Sequence, residues 1–347
     1  MTLYNAATLW WEDDGTIRYI EQTLLPNEYT IISCRTIERL ATAIKRLEIR
    51  GAPALGVAGA YGVALAALNS KEKDAKTFMV DVQRDAALLK ATRPTAINLA
   101  WGIERVLKAI NVHKSVAEMQ HAAITKAKEI AREDTACCHS IGTYGAALLP
   151  DKCTVLTHCN AGALACSSWG TALGVIRSAV EMGKEVKVIS CETRPLLQGA
   201  RLTAWELARD GIEVTTITDS TAAHIMGTGE IDAVVVGADR ITHDAVFNKI
   251  GTYMHAICAR HHDIPFYIAA PLSTFDPKNS AKDVIIEERG RDEVAVMGNR
   301  IYVPDGAKVR NYAFDATPMN LVTAIVTEQG VVRPPVDIQS LLSRRTA

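Results

Sequence analysis

Cys153-Thr154-Val155-Leu156-Thr157-His158-Cys159-Asn160 is a short, β-branched apolar run that stops at a polar pair. Four further apolar runs follow it, at 186–191, 213–218, 233–237 and 265–269, with Val, Ile and Thr prominent among them. Between these runs the spacing predicts helices over 170–182, 198–209, 221–226 and 249–262. Strand alternating with helix at this interval reads as right-handed βαβ units around a parallel sheet. Such sheets bind ligands beyond the carboxyl ends of their strands. The residues that follow each run are therefore the first candidates for a site: Cys159-Asn160, Glu192-Thr193-Arg194, Asp219 and Asp239-Arg240.

Upstream of residue 150 the rhythm is different. Trp10, Trp11 and the Asp13-Asp14-Gly15 turn predict a hairpin with 17–20 as its return strand. Ile37, Leu40, Ala41, Ile44 and Leu47 then fall at helical spacing. A second helix is expected from Pro53 towards Leu68, proline being favoured in a first turn. Its small residues, among them Gly56, Gly59 and Gly62, allow close backbone packing. A long amphipathic helix is expected over 116–141. The reading is an α/β chain with a mostly helical N-terminal domain bearing a small sheet, 1–149, and a parallel-sheet domain, 150–347.

Composition agrees with two domains. The 347 residues are 48% hydrophobic and 22% charged, enough apolar mass for two cores and too much for a disordered chain. Lys and Arg number 38 against 39 Asp and Glu, a net charge of -1. That balance lacks the electrostatic footprint of sequence-blind binding to nucleic acid or an acidic membrane. The 8 cysteines are irregularly placed and form no C-x-x-C pair. Met1–Asn5 does not open a secretory signal, and 52–68 is Gly/Ala-rich, broken by Pro53 and too weakly apolar for a membrane span. These features together predict a reduced cytoplasmic protein with no nucleic-acid or membrane partner.

Free cysteines are usually small buried hydrophobes, which fits Cys153, Cys191 and Cys258. Cys159 differs, because a strand end and the Gly162 loop expose it where substrates sit; a nucleophile and an acid/base are both open to it. Asp239 closes Val234-Val235-Val236-Gly237-Ala238. It is a partner of Arg240, a cap of the following loop, or a desolvated carboxylate suited to acid/base work, and the last is favoured. Arg50-Gly51-Ala52-Pro53 precedes a helix whose first amides are unpaired, a natural anion site. Arg93 sits on a proline-stiffened loop, and Asn248-Lys249 is expected to open another helix. In a chain without net basicity, these clusters point to a small phosphorylated ligand. No G-x-G-x-x-G follows 153–158, no P-loop occurs, and Glu192 lacks the glycine turn of a dinucleotide site. The nine histidines form no H-E-x-x-H, so no metal site is expected.

Eight ordered blocks between about Leu25 and about Val326 carry a resemblance. They include Arg50-Gly51-Ala52-Pro53, Thr92-Arg93-Pro94-Thr95, His158-Cys159-Asn160, Gln198-Gly199-Ala200-Arg201, Gly237-Ala238-Asp239-Arg240 and Asn248-Lys249-Ile250-Gly251. The sequence resembles the methylthioribose-1-phosphate isomerases of the initiation factor 2B alpha/beta/delta-like superfamily. The resemblance implies a Rossmann-like C-terminal domain, a homodimer and no cofactor. It implies isomerisation of 5-methylthioribose 1-phosphate to 5-methylthioribulose 1-phosphate in methionine salvage. It places the catalytic pair at Cys159 and Asp239, and substrate contacts at Arg50, Gly51, Ala52, Arg93, Gln198, Asn248 and Lys249. Ribose 1,5-bisphosphate and 5-deoxyribose 1-phosphate are alternative substrates. A non-catalytic regulatory subunit of a translation initiation exchange factor is the alternative of another class, disfavoured by the presence of both Cys159 and Asp239.

Overall fold

The computed structural model describes residues 7–94 and 96–343. Met1–Asn5 and Thr95, both read above, lie outside the described residues. The chain divides into two compact units, Thr2–His139 with Gly162–Gly170, and Ser140–Ala161 with Thr171–Ala347. The chain thus passes between units after His139, Ala161 and Gly170, where the sequence reading expects one boundary near residue 150.

In the first unit, β1 (Leu9–Trp11) and β2 (Ile17–Ile20) form the expected hairpin, and β3 (Ile31–Cys34) adds a third antiparallel strand. Helix α1 (Ile37–Lys45) starts at Thr36, whose hydroxyl accepts from the Arg39 amide. Helix α2 (Ala52–Asn69) is apolar all round, and Ala54 through Ala67 are buried. It is long and apolar enough to cross a membrane, contrary to the sequence reading, but here it is the centre of the unit's core. Two helices join it that the sequence reading left out, α3 (Ala75–Lys90), capped by Asp74, and α4 (Ile97–Ile110). The glycines of α2 do what their size allows. A Cβ on Gly102 of α4 would fall 1.9 Å from the Gly56 carbonyl oxygen, so the two backbones touch. Helix α5 (Val116–Ala146) follows.

Segment Gly162–Gly170 belongs to this unit because its backbone is bonded there. The Thr8 hydroxyl donates to the Ala163 carbonyl at 2.6 Å, Gln22 Nε2 to the Leu164 carbonyl at 2.8 Å, and the Ser167 amide to Asp134 Oδ2 at 2.6 Å.

The second unit is built on a seven-stranded sheet. Its strands are β4 (Lys152–Thr157), β5 (Glu185–Cys191), β6 (Val214–Ile217), β7 (Ala233–Val236), β10 (Phe266–Ala269), β14 (Ala324–Thr327) and β15 (Gly330–Val332). The order is β15-β14-β10-β7-β4-β5-β6, parallel except for the edge pair β14–β15. Helices α6 (Ala172–Glu181), α7 (Ala204–Arg209), α8 (Ala222–Thr228) and α9 (Thr252–His261) lie between strands in the chain, as the alternation predicts. Each strand run of the second half expected from sequence is present, and β14 and β15 complete the sheet.

The chain runs outward from β4 through β5 to β6, then starts again on the other side at β7. The reversal lies between β4 and β7, and such a switch point opens a crevice at the carboxyl ends. A separate antiparallel sheet, β8 (Arg240–Ile241), β9 (Ala245–Lys249) and β13 (Phe314–Pro318), grows from the end of β7. A short ribbon, β11 (Val296–Met297) with β12 (Arg300–Ile301), completes the strands described.

Candidate active site

The switch point gathers the two residues that sequence singled out for chemistry. Cys159 follows β4 and Asp239 follows β7, the neighbouring parallel strand. Both are partly buried. Asp239 is not explained as the partner of its neighbour, because Arg240 pairs with Asp276 at 3.5 Å. The Asp239 amide donates to the Phe247 carbonyl at 2.8 Å, which ties this residue to β9.

Strand β9 carries the candidate binding pair, in a manner that differs from the sequence expectation. Asn248 and Lys249 close a strand rather than open a helix: Asn248 pairs with Asp315 and Lys249 with Phe314 in β13. Gly251, at φ 103°, then turns the chain into α9. Both side chains are buried, each 6% exposed. Asn248 Nδ2 donates to the Thr252 hydroxyl at 3.0 Å, which itself donates to the Lys249 carbonyl at 2.7 Å. Burial pulls the Lys249 ammonium below its usual range, opposed by the ionisable groups of Cys159 and Asp239 nearby. Chain geometry groups the three: Asp239 is bonded to β9 at Phe247, two residues before Lys249, and Cys159 follows the strand beside β7. Gln198 lies where β5 hands over to a single π-turn, Gly199–Thr203. Its side-chain oxygen is buried and has no hydrogen-bond partner among the described residues. An unpaired buried acceptor costs about 1–3 kcal/mol, which a ligand donor would recover.

The backbone around Cys159 is strained and held. Cys159 has φ 64° and Thr193 φ 67°. For residues with side chains this left-handed region costs roughly 1–2 kcal/mol each. The Cys159 amide donates to the Thr193 hydroxyl at 2.8 Å, and the Thr203 hydroxyl donates to the Cys159 carbonyl at 2.6 Å. Thr193 is fixed in turn by its own amide, which donates to Asp219 Oδ1 at 2.8 Å. Asn160 Nδ2 donates to Glu206 at 2.9 Å, and Glu206 pairs with the fully buried Arg177 at 2.8 Å.

Two imidazoles back the same strand end. The Ile250 carbonyl can only accept, so the 2.9 Å contact with His158 Nε2 puts the ring proton there. His158 Nδ1 then accepts from His255 Nε2 at 3.1 Å, leaving His255 Nδ1 bare and without a partner among the described residues. Burial pushes His158 down to about 4 and His255 down to about 3, so both are neutral at pH 7.

Four of the resemblance-derived contacts lie in the first unit. Gly51 caps α2 at φ 92°, with no side-chain cap and no acidic residue in the first turn. A Cβ there would fall 2.5 Å from Ala165 Cα, so only glycine fits. Ala52 is the first residue of α2, and its amide is among those a helix start leaves unpaired. Arg50 precedes that start, and Arg93 is half-buried on the loop after α3. The structure thus brings Cys159, Asp239, Gln198, Asn248 and Lys249 to one unit and Arg50, Gly51, Ala52 and Arg93 to the other.

Glu192-Thr193-Arg194 and Asp219, candidates by position, serve the scaffold: Asp219 accepts from the Thr193 and Arg194 amides at 2.8 and 2.7 Å. Sequence reasoning missed Thr203, His255 and Asp315, for which no local signal exists; Asp315 accepts from the Gly251 amide at 2.7 Å and burial pushes it up to about 6. Among the described residues, His158, Cys191, Asp219 and His255 bring metal-ligating atoms within 4.8 Å, as do Asp134, Cys138 and Cys166 in the first unit. In the first group both imidazole rings and the carboxylate already engage one another or backbone groups.

Comparison with known proteins places this geometry. Residues 48–334 match the family described as the Initiation factor 2 subunit family. The chain belongs to that family. It is 54% identical over 331 residues to a protein of Archaeoglobus fulgidus named putative methylthioribose-1-phosphate isomerase, covering 95% of this chain and 97% of that one. It is 51% identical over 333 residues to one of Moorella thermoacetica named 5-deoxyribose 1-phosphate isomerase, covering 95% of each. Among solved structures, the 5-methylthioribose 1-phosphate isomerase of Pyrococcus horikoshii superposes with TM-score 0.92 at 41% identity, over 99% of this chain and 98% of that one. An Archaeoglobus fulgidus chain described as the delta subunit of the translation initiation factor eIF-2B superposes with TM-score 0.87 at 53% identity, over 95% and 97%.

Proposed function

We propose that this protein isomerises 5-methylthioribose 1-phosphate to 5-methylthioribulose 1-phosphate, with Cys159 and Asp239 as the acid/base pair. The observation that carries this reading is the grouping of Cys159, Asp239 and Lys249 at the switch point, in a chain like named isomerases over nearly its whole length. A binding subunit needs no such pair.

The chemistry follows from the substrate. Its C1 carries phosphate, so the ring does not open to a free aldehyde. An acid protonates the ring oxygen while C1 gains cationic character. Hydrogen then moves from C2 to C1, and the 2-hydroxyl loses its proton as the ketone forms. Asp239 performs the oxygen proton transfers. Cys159 is its partner, or the base at C2 if an enediol forms. Lys249 and Asn248, buried beside them, orient the sugar, and the Gln198 oxygen accepts a substrate hydroxyl. Arg50, Arg93 and the amides at the start of α2 are the proposed phosphate donors.

A direct test replaces Asp239 by Asn, with turnover expected to vanish while substrate binding is largely kept. Turnover near the parental rate would overturn the role. Reaction in deuterated water separates the routes, since label at C1 would rule out a direct hydride shift. The relative named for 5-deoxyribose 1-phosphate makes that sugar the second reading, and ribose 1,5-bisphosphate is the third. Assaying the three side by side decides, a second phosphate requiring cations where a methylthio group requires apolar wall. We also propose a cytoplasmic homodimer. Eight free cysteines support a reducing compartment, and exposed Tyr253, Met254 and Ile257 on α9 support a partner surface. Light scattering on the full chain checks the dimer.

A further inference from the structure

Cys159 sits in a backbone conformation that its own side chain disfavours, and two hydroxyls hold it there. Thr193 and Thr203 are each wholly buried and come from different parts of the fold, the end of β5 and the π-turn before α7. Neither faces solvent, and each hydroxyl makes one of its bonds to the same residue, Cys159. Thr193 Oγ1 accepts from the Cys159 amide at 2.8 Å and donates to the Cys191 carbonyl at 3.0 Å. Thr203 Oγ1 donates to the Cys159 carbonyl at 2.6 Å and accepts from Asn160 Nδ2 at 3.2 Å. The N–H and the C=O of Cys159 are thus both pinned by side chains rather than by the sheet. Thr193 itself pays for its place with φ 67°, uncommon for a β-branched residue. A strained residue persists only where its surroundings over-determine it, and such residues cluster at functional sites.

We propose that Thr193 and Thr203 are positioning residues for the isomerase reaction: their hydroxyls clamp Cys159 in the left-handed conformation and so aim its thiol at the crevice beside Asp239 and Lys249. The proposal rests on the reading of Cys159 as a proton-transfer group, but the placement of the thiol is testable by itself. Neither threonine touches substrate in this scheme. Each acts through the cysteine backbone.

The test uses the full-length chain with Thr193→Val and Thr203→Val, which keep the branched shape and remove the hydroxyl, and Thr→Ser at both positions, which restores it. With 5-methylthioribose 1-phosphate, kcat is expected to fall about a hundredfold in each Val variant with KM nearly unchanged, and to recover in the Ser variants. Alkylation of Cys159 by iodoacetamide, followed by peptide mass spectrometry across a pH series, should change midpoint in the Val variants and return in the Ser variants. A scaffold role alone would lower the melting temperature and leave that midpoint in place. Folded Val variants with parental kcat and parental alkylation midpoint overturn the proposal. Should the Val variants fail to fold, amide hydrogen exchange of the parent decides: the Cys159 amide must exchange as slowly as those of β4, and a fast-exchanging amide overturns it. If Cys159→Ser keeps full turnover, the acid/base reading falls while the alkylation midpoints still report on the clamp.

Discussion

At the residue scale, the proposed role of Gln198 is a trade of stability for binding. Its buried side-chain oxygen has no hydrogen-bond partner among the described residues. Replacing it with Met removes the unpaired acceptor while roughly keeping the volume. Urea unfolding of Gln198→Met is therefore expected to show equal or higher stability, by up to about 1 kcal/mol. Substrate KM is expected to rise about tenfold, as one hydrogen bond to a polar ligand group is lost. A variant that loses stability and keeps KM would show that the oxygen is engaged within the fold. Cys159 and Asp239 were legible from sequence because each follows an apolar strand run, a local signal. Thr203, His255 and Asp315 were not, because their roles arise from partners 44, 97 and 64 residues away in sequence.

At the scale of elements, α2 and α4 meet where glycine removes the side chain from both surfaces. Gly102→Ala would set a Cβ 1.9 Å from the Gly56 carbonyl, a rigid backbone atom that cannot turn aside. The expected cost is more than about 2 kcal/mol, read as a lowered urea midpoint. Gly183→Ala is the contrast: φ is 84°, yet nothing lies within 4 Å of the new Cβ, so only the conformational penalty of about 1 kcal/mol applies. Equal losses at the two sites would refute close α2–α4 packing. The small residues of α2 announced such packing in the sequence without naming its partner. The strand at Asn248-Lys249 escapes local reading for a related reason: its partners in Phe314–Pro318, Asp315 and Phe314, lie 67 and 65 residues further on, and no local pattern reveals them.

For the molecule as a whole, the buried imidazoles couple folding to acidity. His158 and His255 titrate at about 4 and about 3 when folded, against 6.5 when free. Unfolding therefore takes up protons below 6.5, so their contribution is complete above that pH and is lost as pH falls towards the folded values. Asp315, raised to about 6, acts in the opposite sense and loses its contribution as pH rises through 6. His255→Asn isolates one group. The stability gap between parent and variant should narrow on acidification below 6.5, by up to about 1.4 kcal/mol per pH unit. A gap constant from pH 7.5 to 5 would mean that His255 is not buried neutral. By itself the sequence determined the alternation of strand and helix, the helical first half, and the strand ends that carry the candidate site, because those are set by periodicity and residue type along a few turns of chain. Only the tertiary structure decided which strands are neighbours, that Gly162–Gly170 belongs with the first unit, and that two threonine hydroxyls hold Cys159 in a left-handed backbone. Those outcomes depend on hydrogen bonds between residues far apart in sequence, whose energies no local stretch encodes.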